Sequence, residues 1–268
     1  MLDQLIRIAK DAGAAILEIY GRQDVGAVEK DDGSPVTLAD AAAEAVILRA
    51  LAELFPDIPV VAEEAVAAGE IPEIDARFFL VDPLDGTKEF ISRNGEFTVN
   101  IALVEDGQPV LGVVYAPALG LIYAGDREGA RSSHCADRVF ADWSPVRANA
   151  APAAGLKVVA SRSHMSAETR EYLQRFEVAG LVSAGSSLKL CKVASGEADL
   201  YPRLGRTMAW DIAAGDAVLR AAGGAVRGVE GEPFTYHPSR VPGDAAFANP
   251  WFVAAGAFDF TTLARVPA

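Results

Sequence analysis

The residues best equipped for chemistry stand in one short string, Val81-Asp82-Pro83-Leu84-Asp85-Gly86-Thr87. Two carboxylates three residues apart, followed by a glycine and a hydroxyl, can be aimed by a turn at a single point, where one hard, oxygen-seeking cation would satisfy both. Phe78-Phe79-Leu80 ahead of them read as a buried strand that Pro83 is expected to stop, which puts both acids at a strand end. Gly86 permits a backbone angle that other residues resist, and the Leu84 carbonyl, freed from the sheet ladder, is a further candidate oxygen ligand. A Pro-Asp-Gly turn with solvated acids is the plainer alternative. It accounts less well for two acids and a threonine after so apolar a strand.

Four other places offer compatible groups, each with a structural explanation of its own. Ile58-Pro59-Val60-Val61 reads as a strand that delivers Glu63 and Glu64 at its end; adjacent carboxylates repel, so this pair is either exposed or bound to a cation. Thr37-x-x-Asp40 reads as the capping box of a helix from Leu38 to Leu54. Trp210-Asp211 opens a helix through Leu219, where Asp211 could simply complement the helix dipole. Gly185-Ser186-Ser187 opens a helix to about Ser195 with Lys189 one turn in; its N-terminus suits a phosphate, and an ordinary serine cap explains it equally well. Jointly, Glu63, Asp82, Asp85 and Asp211, with Asp40 and Thr87 nearby, look like the acids of a two-metal phosphatase. There a metal pair ~3.5–4 Å apart holds a phosphate and lowers the pKa of an attacking water, so no protein nucleophile is required.

Hydrophobic spacing sets out the scaffold around these groups. Residues 2–20 read as an amphipathic helix stopped by Gly21, Val25 to Lys30 as a short strand, and 31–35 as a turn. Phe97 to Val104, Val110 to Tyr115 and Gly120 to Ala124 form an antiparallel meander. The mixed stretch 126–155 is read as a connection, with the boundary between two halves at 150/151, giving units 1–150 and 151–268. Beyond it come a strand at 157–160, a helix from Ser166 to about Phe176 and a strand from Ala198 to Arg203, with Phe247, Trp251, Phe252 and Val253 as buried candidates.

Composition narrows the function classes. A chain of 268 residues, 51% hydrophobic, fills one large domain or two intimate halves. A formal net charge of -13 argues against a nucleic-acid polymer as partner and leaves room for a small anion held through metal ions. Cys135 and Cys191 are far apart and without CxxC spacing, which points away from a disulfide framework or a zinc site and toward a reducing cytoplasm. Charges among the first residues exclude a signal peptide, and no apolar run approaches the ~20 residues of a membrane span, so a soluble protein is expected.

The sequence resembles the inositol monophosphatase superfamily in two motifs, Asp82-Pro83-Leu84-Asp85-Gly86-Thr87 and Trp210-Asp211-Ile212-Ala213-Ala214-Gly215. Glu63-Glu64 and Thr37-Leu38-Ala39-Asp40 also fit, so the resemblance spans nearly the whole chain. Within the superfamily Lys88-Glu89-Phe90, Arg93-Asn94-Gly95-Glu96-Phe97-Thr98-Val99-Asn100 and Leu200-Tyr201-Pro202-Arg203 are most similar to the 3′(2′),5′-bisphosphate nucleotidase branch. The resemblance implies an α/β (α+β) chain with the alternating αβαβα layered sugar-phosphatase fold. It implies Mg²⁺-dependent hydrolysis of the 3′-phosphate of 3′-phosphoadenosine 5′-phosphate to AMP, inhibition by lithium and a place in sulfur assimilation, with 3′-phosphoadenosine 5′-phosphosulfate as an overlapping substrate.

By position, the resemblance implies two or three Mg²⁺ ions held by Glu63, Asp82, the Leu84 carbonyl, Asp85 and Asp211, while Asp40 and Thr87 orient and activate the water. Substrate contacts would come from Glu63, Leu84, Asp85, Gly86, Thr87, Ser186, Lys189, Arg203 and Asp211, with His164 near the base. A monomer or homodimer is implied, in the cytoplasm, free or peripheral on the cytoplasmic face of the inner membrane. An inositol or sugar monophosphatase of the same superfamily is the nearest alternative. A non-catalytic nucleotide- or metal-binding module is a weaker one, since it would not need Asp40 and Thr87. A haloacid-dehalogenase-type phosphatase fails on chemistry, because its nucleophilic Asp would fall at Pro83.

Overall fold

Leu5, Ile8, Ala9, Ala12, Ile16 and Ile19 recur at helical spacing and are buried along one side of α1, Leu2–Tyr20. The structure is a computed structural model and describes residues 1–30, 33, 35–136, 139–150, 152, 155–160, 166–238 and 245–264. A two-stranded antiparallel hairpin, β1 (Val28–Glu29) and β2 (Pro35–Val36), leads into α2, Leu38–Leu54, which packs beside α1. Of the strand expected over Val25 to Lys30 only Val28–Glu29 forms. Both helices lie on a seven-stranded sheet, and α1 comes so close that a Cβ on Gly13 would meet the Tyr115 ring at 2.4 Å.

That sheet contains β3 (Val60–Ala62) and, after α3 (Glu63–Ala67), β4 (Arg77–Asp85); α4 (Thr87–Ile91) then leads to β5 (Thr98–Glu105), β6 (Gln108–Ala116), β7 (Leu121–Asp126), β8 (Gly129–Ala136) and β9 (Val139–Val146). The strands lie in sequence order, with β3 parallel to β4 and every other pair antiparallel. Alternation puts Phe79, Val81, Val99, Ile101 and Val113 toward α1 and α2, and Phe78, Leu80, Ala102, Val104 and Val114 toward the other side. The stretch read as a connection over 126–155 therefore holds two more strands. Gly, Ser and Arg stand in β8 where bulky apolar residues would have signalled a strand.

The chain passes to a second sheet between Val146 and Leu156, and there β10 (Leu156–Ala160), α5 (Ala167–Leu173), β11 (Val178–Ser183), α6 (Leu188–Ala194), β12 (Leu200–Arg203), α7 (Ala209–Ala221), β13 (Ala225–Gly228) and β14 (Phe252–Ala255) succeed one another. Its order is β11-β10-β12-β14-β13, with β10 parallel to β11 and β12, and β14 antiparallel to β12 and β13. α6 and α7 touch both sheets, and α7 passes so near β6 that a Cβ on Gly112 would stand 2.4 Å from the Ala214 carbonyl. Tyr172, Leu173 and Phe176 cover the outer face of the second sheet. The layers are thus helix pair, sheet, helix pair, sheet, helix, the αβαβα arrangement expected. α5 is shorter than its expected span to Phe176, and β11, rich in small residues, went unread. Phe247, Phe252 and Val253 are buried as expected, whereas Trp251, one residue before β14 and outside its ladder, is 49% exposed. No helix among the described residues is long and apolar enough to cross a membrane.

Candidate active site

β4 does not stop at Pro83 but runs on to Asp85, and its ladder to β5 slips between Asp82, opposite Asn100, and Asp85, opposite Thr98. Pro83, which has no N–H to give, sits inside this bulge, where no ladder bond is needed. The Leu84 N–H donates to Asp82 Oδ1 at 3.0 Å, and Gly86 at φ 90° turns the chain into α4, whose first residue is Thr87. A side chain would be strained at that φ and would crowd Ser186 Cβ at 3.3 Å. The Thr87 hydroxyl comes within 3.4 Å of the Leu84 carbonyl.

The parallel register of β3 with β4 pairs Ala62 with Val81, so Glu63, next in line, falls in step with Asp82. Glu63 and Glu64 open α3, whose Glu64 N–H donates to Glu44 Oε2 of α2 at 3.0 Å. They are neither free in solvent nor left as a bare pair: Lys30 Nζ lies 2.9 Å from Glu63 Oε1 and 2.6 Å from Glu64 Oε1. At the head of α2, the Thr37 N–H and hydroxyl both donate to Asp40 Oδ2 at 2.7 Å, which is the capping box read from sequence. Asp40 Oδ1 is turned the other way, 3.4 Å from the Thr87 hydroxyl. The cap and the site contact coexist on the two oxygens of one carboxylate.

Ser186 and Ser187 stand ahead of α6, but neither side chain caps it. Ser186 is held at φ 50°, a left-handed conformation costing a non-glycine residue of order 1–3 kcal/mol, with Oγ 2.5 Å from Asp85 Oδ2 and 3.1 Å from the Asp85 carbonyl. Ser187 Oγ is 3.2 Å from Asp85 Oδ2 and also contacts the Asp211 carbonyl. Behind them, Thr98 Oγ1 lies 2.5 Å from Ser186 Oγ and donates to Asn100 Oδ1 at 2.9 Å, and Asn100 Nδ2 donates to Ser187 Oγ at 2.9 Å. Thr98 and Asn100 are fully buried. Asp211, in the first turn of α7, accepts from the Met208 N–H at 2.8 Å on Oδ2, a capping contact where sequence offered only a complement to the helix dipole.

Sequence reading missed Thr98, Asn100 and Lys30 as members of this region, and gave Ser187 only as part of the N-terminus of α6. Thr98 and Asn100 did leave a signal: two polar residues at alternate positions share one face of an otherwise apolar strand. His164 lies outside the described residues.

Charge sets this region apart. Burial raises Asp82 well above the carboxylate range, and the neighbouring acids Glu63, Asp85, Asp211 and Asp40 raise it further. Asp211 is raised by burial and by Asp85, against the Met208 N–H, and Arg203 also favours its charge. Burial pushes Glu63 up to about 7 even though Lys30 opposes it, so desolvation outweighs one shared ammonium. Asp40 is raised by burial against its Thr37 hydrogen bonds. Each acid has a protein partner: Glu63 on Lys30, Asp82 on the Leu84 N–H, Asp85 on the serines, Asp211 on the Met208 N–H. As they stand, no three His, Cys, Asp or Glu among the described residues are gathered to hold an ion.

Asp85, Asp211, Ser186, Lys189 and Arg203 line a cleft of about 130 Å³, and an adjoining hollow of about 100 Å³ shares Lys189, Tyr201 and Arg203 with it. Lys189 Nζ donates to the Ser186 carbonyl at 3.0 Å, and Arg203 Nη2 to the Arg206 carbonyl at 3.2 Å. A larger groove of about 740 Å³ beside α1 and Tyr115 contains none of the clustered acids. Thus Asp40, Glu63, Asp82, Asp85 and Asp211 lie close enough to act on one another, with Leu84 and Thr87 among them, and of these acids Asp85 and Asp211 line the cleft together with Gly86, Ser186, Lys189 and Arg203.

Comparison with known proteins fits this geometry. Residues 1–256 match the Inositol monophosphatase family. The 3′(2′),5′-bisphosphate nucleotidase CysQ of Shigella flexneri is 48% identical over 253 residues, 94% of this chain and 98% of that one. The protein of the same name from Escherichia coli K12 matches to the same extent. Among solved structures, CysQ from Bacteroides thetaiotaomicron superposes with a TM-score of 0.77 at 36% identity, covering 96% of this chain and 97% of that one.

Proposed function

Because the chain belongs to the inositol monophosphatase family, we propose that this cleft is the site of a 3′(2′),5′-bisphosphate nucleotidase. The substrate is 3′-phosphoadenosine 5′-phosphate, cleaved to AMP and phosphate, with the 5′-phosphosulfate analogue as a second substrate. The observation that carries this reading is one cleft that Lys189 and Arg203 line together with Asp85 and Asp211, two members of the acid cluster. A substrate with two phosphates needs one held at the acids and the other gripped by cations.

The donor set fits a hard divalent cation. Asp82, Asp85, Asp211 and Glu63 are oxygen donors, and the burial and mutual repulsion that raise Asp82 and Asp211 are what bound positive charge would offset. Two or three Mg²⁺ ions would be held by these four and the Leu84 carbonyl, as the family resemblance implies. Bound there, magnesium neutralises phosphate charge and lowers the pKa of a water.

The chain's own residues do the rest. Thr37 fixes Asp40 Oδ2, leaving Oδ1 to take a proton relayed through the Thr87 hydroxyl. Thr87, one residue beyond Gly86, orients the attacking water between Asp40 and the Leu84 carbonyl. Ser186 and Lys189 donate to the substrate from the head of α6, and Arg203 holds its second phosphate. On this reading the division near residue 150 leaves Glu63, Asp82 and Asp85 in the first half and Asp211 with the substrate cations in the second. Lithium inhibition, a role in sulfur assimilation, a cytoplasmic location and a monomeric or dimeric state complete the proposal.

Phosphate release measured over a Mg²⁺ series, with 3′-phosphoadenosine 5′-phosphate, its 5′-phosphosulfate analogue and inositol 1-phosphate in parallel, tests it. Highest kcat/KM on the bisphosphate is expected. Preference for inositol 1-phosphate would replace the reading with a monophosphatase, and binding without release would make it a non-catalytic module.

A further inference from the structure

Lys30 comes directly after β1 and reaches across to α3, where its ammonium is shared by Glu63 and Glu64 at 2.9 and 2.6 Å with only 15% of its side chain exposed. Glu63 follows in step with Asp82 across the β3–β4 register and is the acid whose charge acts most on Asp82. A cation accepting Glu63 must take over the oxygen that Lys30 now holds, or settle a few ångströms from an ammonium; either way the two positive charges compete. Resting on the metal-site reading above, we propose that Lys30 is an internal competitor for the metal, a positioning residue that holds Glu63 in the metal-free chain and releases it on loading. Release is inexpensive: both residues of β1 are exposed and the hairpin ladder is two residues long, so Lys30 can swing away without uncovering core. The Glu64 N–H donates to Glu44, which ties the start of α3 to α2 independently of Lys30.

The test is equilibrium binding of Mg²⁺ without substrate, by titration calorimetry, to the wild-type chain and to Lys30→Met and Lys30→Gln. Two charge-assisted hydrogen bonds are removed, so both variants should bind metal about tenfold more tightly. A merely structural role for Lys30 predicts the opposite, because a damaged site loosens metal. In the wild-type chain, acetylation of Lys30 by an amine-directed reagent, read by mass spectrometry, should rise when Mg²⁺ is added. Folded variants that bind no more tightly than wild type, or a Lys30 equally protected with and without saturating metal, would overturn the inference. Asp85→Asn separates the role of Lys30 from the metal site itself. Binding abolished by Asp85→Asn but not strengthened by Lys30→Met removes the role of Lys30 alone. Absence of any Mg²⁺ binding by the wild-type chain removes the metal site and this inference together.

Discussion

At the residue scale, the division of labour on Asp40 makes Thr87 testable. Asp40 Oδ2 is committed to Thr37, so the contact at 3.4 Å from Oδ1 to the Thr87 hydroxyl is a site contact and not part of the cap. If Thr87 acts in the chemical step as proposed, Thr87→Ala removes no acid from the site, so kcat should fall roughly a hundredfold while Mg²⁺ affinity stays within about twofold. A raised KM at unchanged kcat would refute the role. Arg203 is a donor only, and it already lowers the pKa of Asp211. Arg203→Glu turns attraction for a second phosphate into repulsion, so kcat/KM on 3′-phosphoadenosine 5′-phosphate should drop about tenfold or more, with inositol 1-phosphate affected less. Equal losses on both would make Arg203 a general support of the site. Asp40, Glu63, Asp85 and Asp211 were legible in the sequence because each stands at the end of a strand or the start of a helix that spacing reveals, Asp82 because it follows so apolar a run, and Arg203 through the family resemblance alone. Lys30 was not legible: its partners lie 33 and 34 residues away, and nothing local marks a lysine for them.

At the element scale, what holds the site together is the seam between β5 and the turn before α6. Thr98 and Asn100 orient Ser186 and Ser187, and these serines grip one oxygen of Asp85, so a carboxylate of the first sheet is positioned by the second half of the chain. Asn100→Ala leaves Ser187 Oγ buried without its donor, which should cost about 1–3 kcal/mol in urea unfolding and weaken Mg²⁺ binding together. Lost stability with metal affinity unchanged would show that the network holds the layers and not the carboxylate. The same scale explains the misread elements. Pro83 reads as a strand stop because a ladder needs every N–H, yet a bulge has a place for a residue without one. β8 escaped notice because its alternation pairs small residues with polar ones, and only pairing with β7 and β9 makes a strand of it.

At the scale of the whole molecule, the fold concentrates negative charge where the layers meet, and this fixes how stability should respond to pH. Burial raises Asp40, Asp82 and Asp211 above their ordinary values and Glu63 up to about 7. In the unfolded chain these groups titrate near the usual ~4. Between about pH 4 and about pH 7 the metal-free folded state therefore holds more protons than the unfolded state, so its stability falls as pH rises through that window. Metal inverts the sign, because ions bind the deprotonated acids and stabilise the folded state more as pH rises. Thermal unfolding in chelator should give a higher Tm near pH 5 than near pH 7.5, and the Tm gained on adding Mg²⁺ should grow over the same interval. General relief of the net charge of -13 also favours the acid side, so the discriminating measurement is the slope in Asp82→Asn. That variant lacks one buried titrating group, and its metal-free Tm should depend less on pH than the wild type. An unchanged slope would mean that the acid cluster is not what unsettles the metal-free fold.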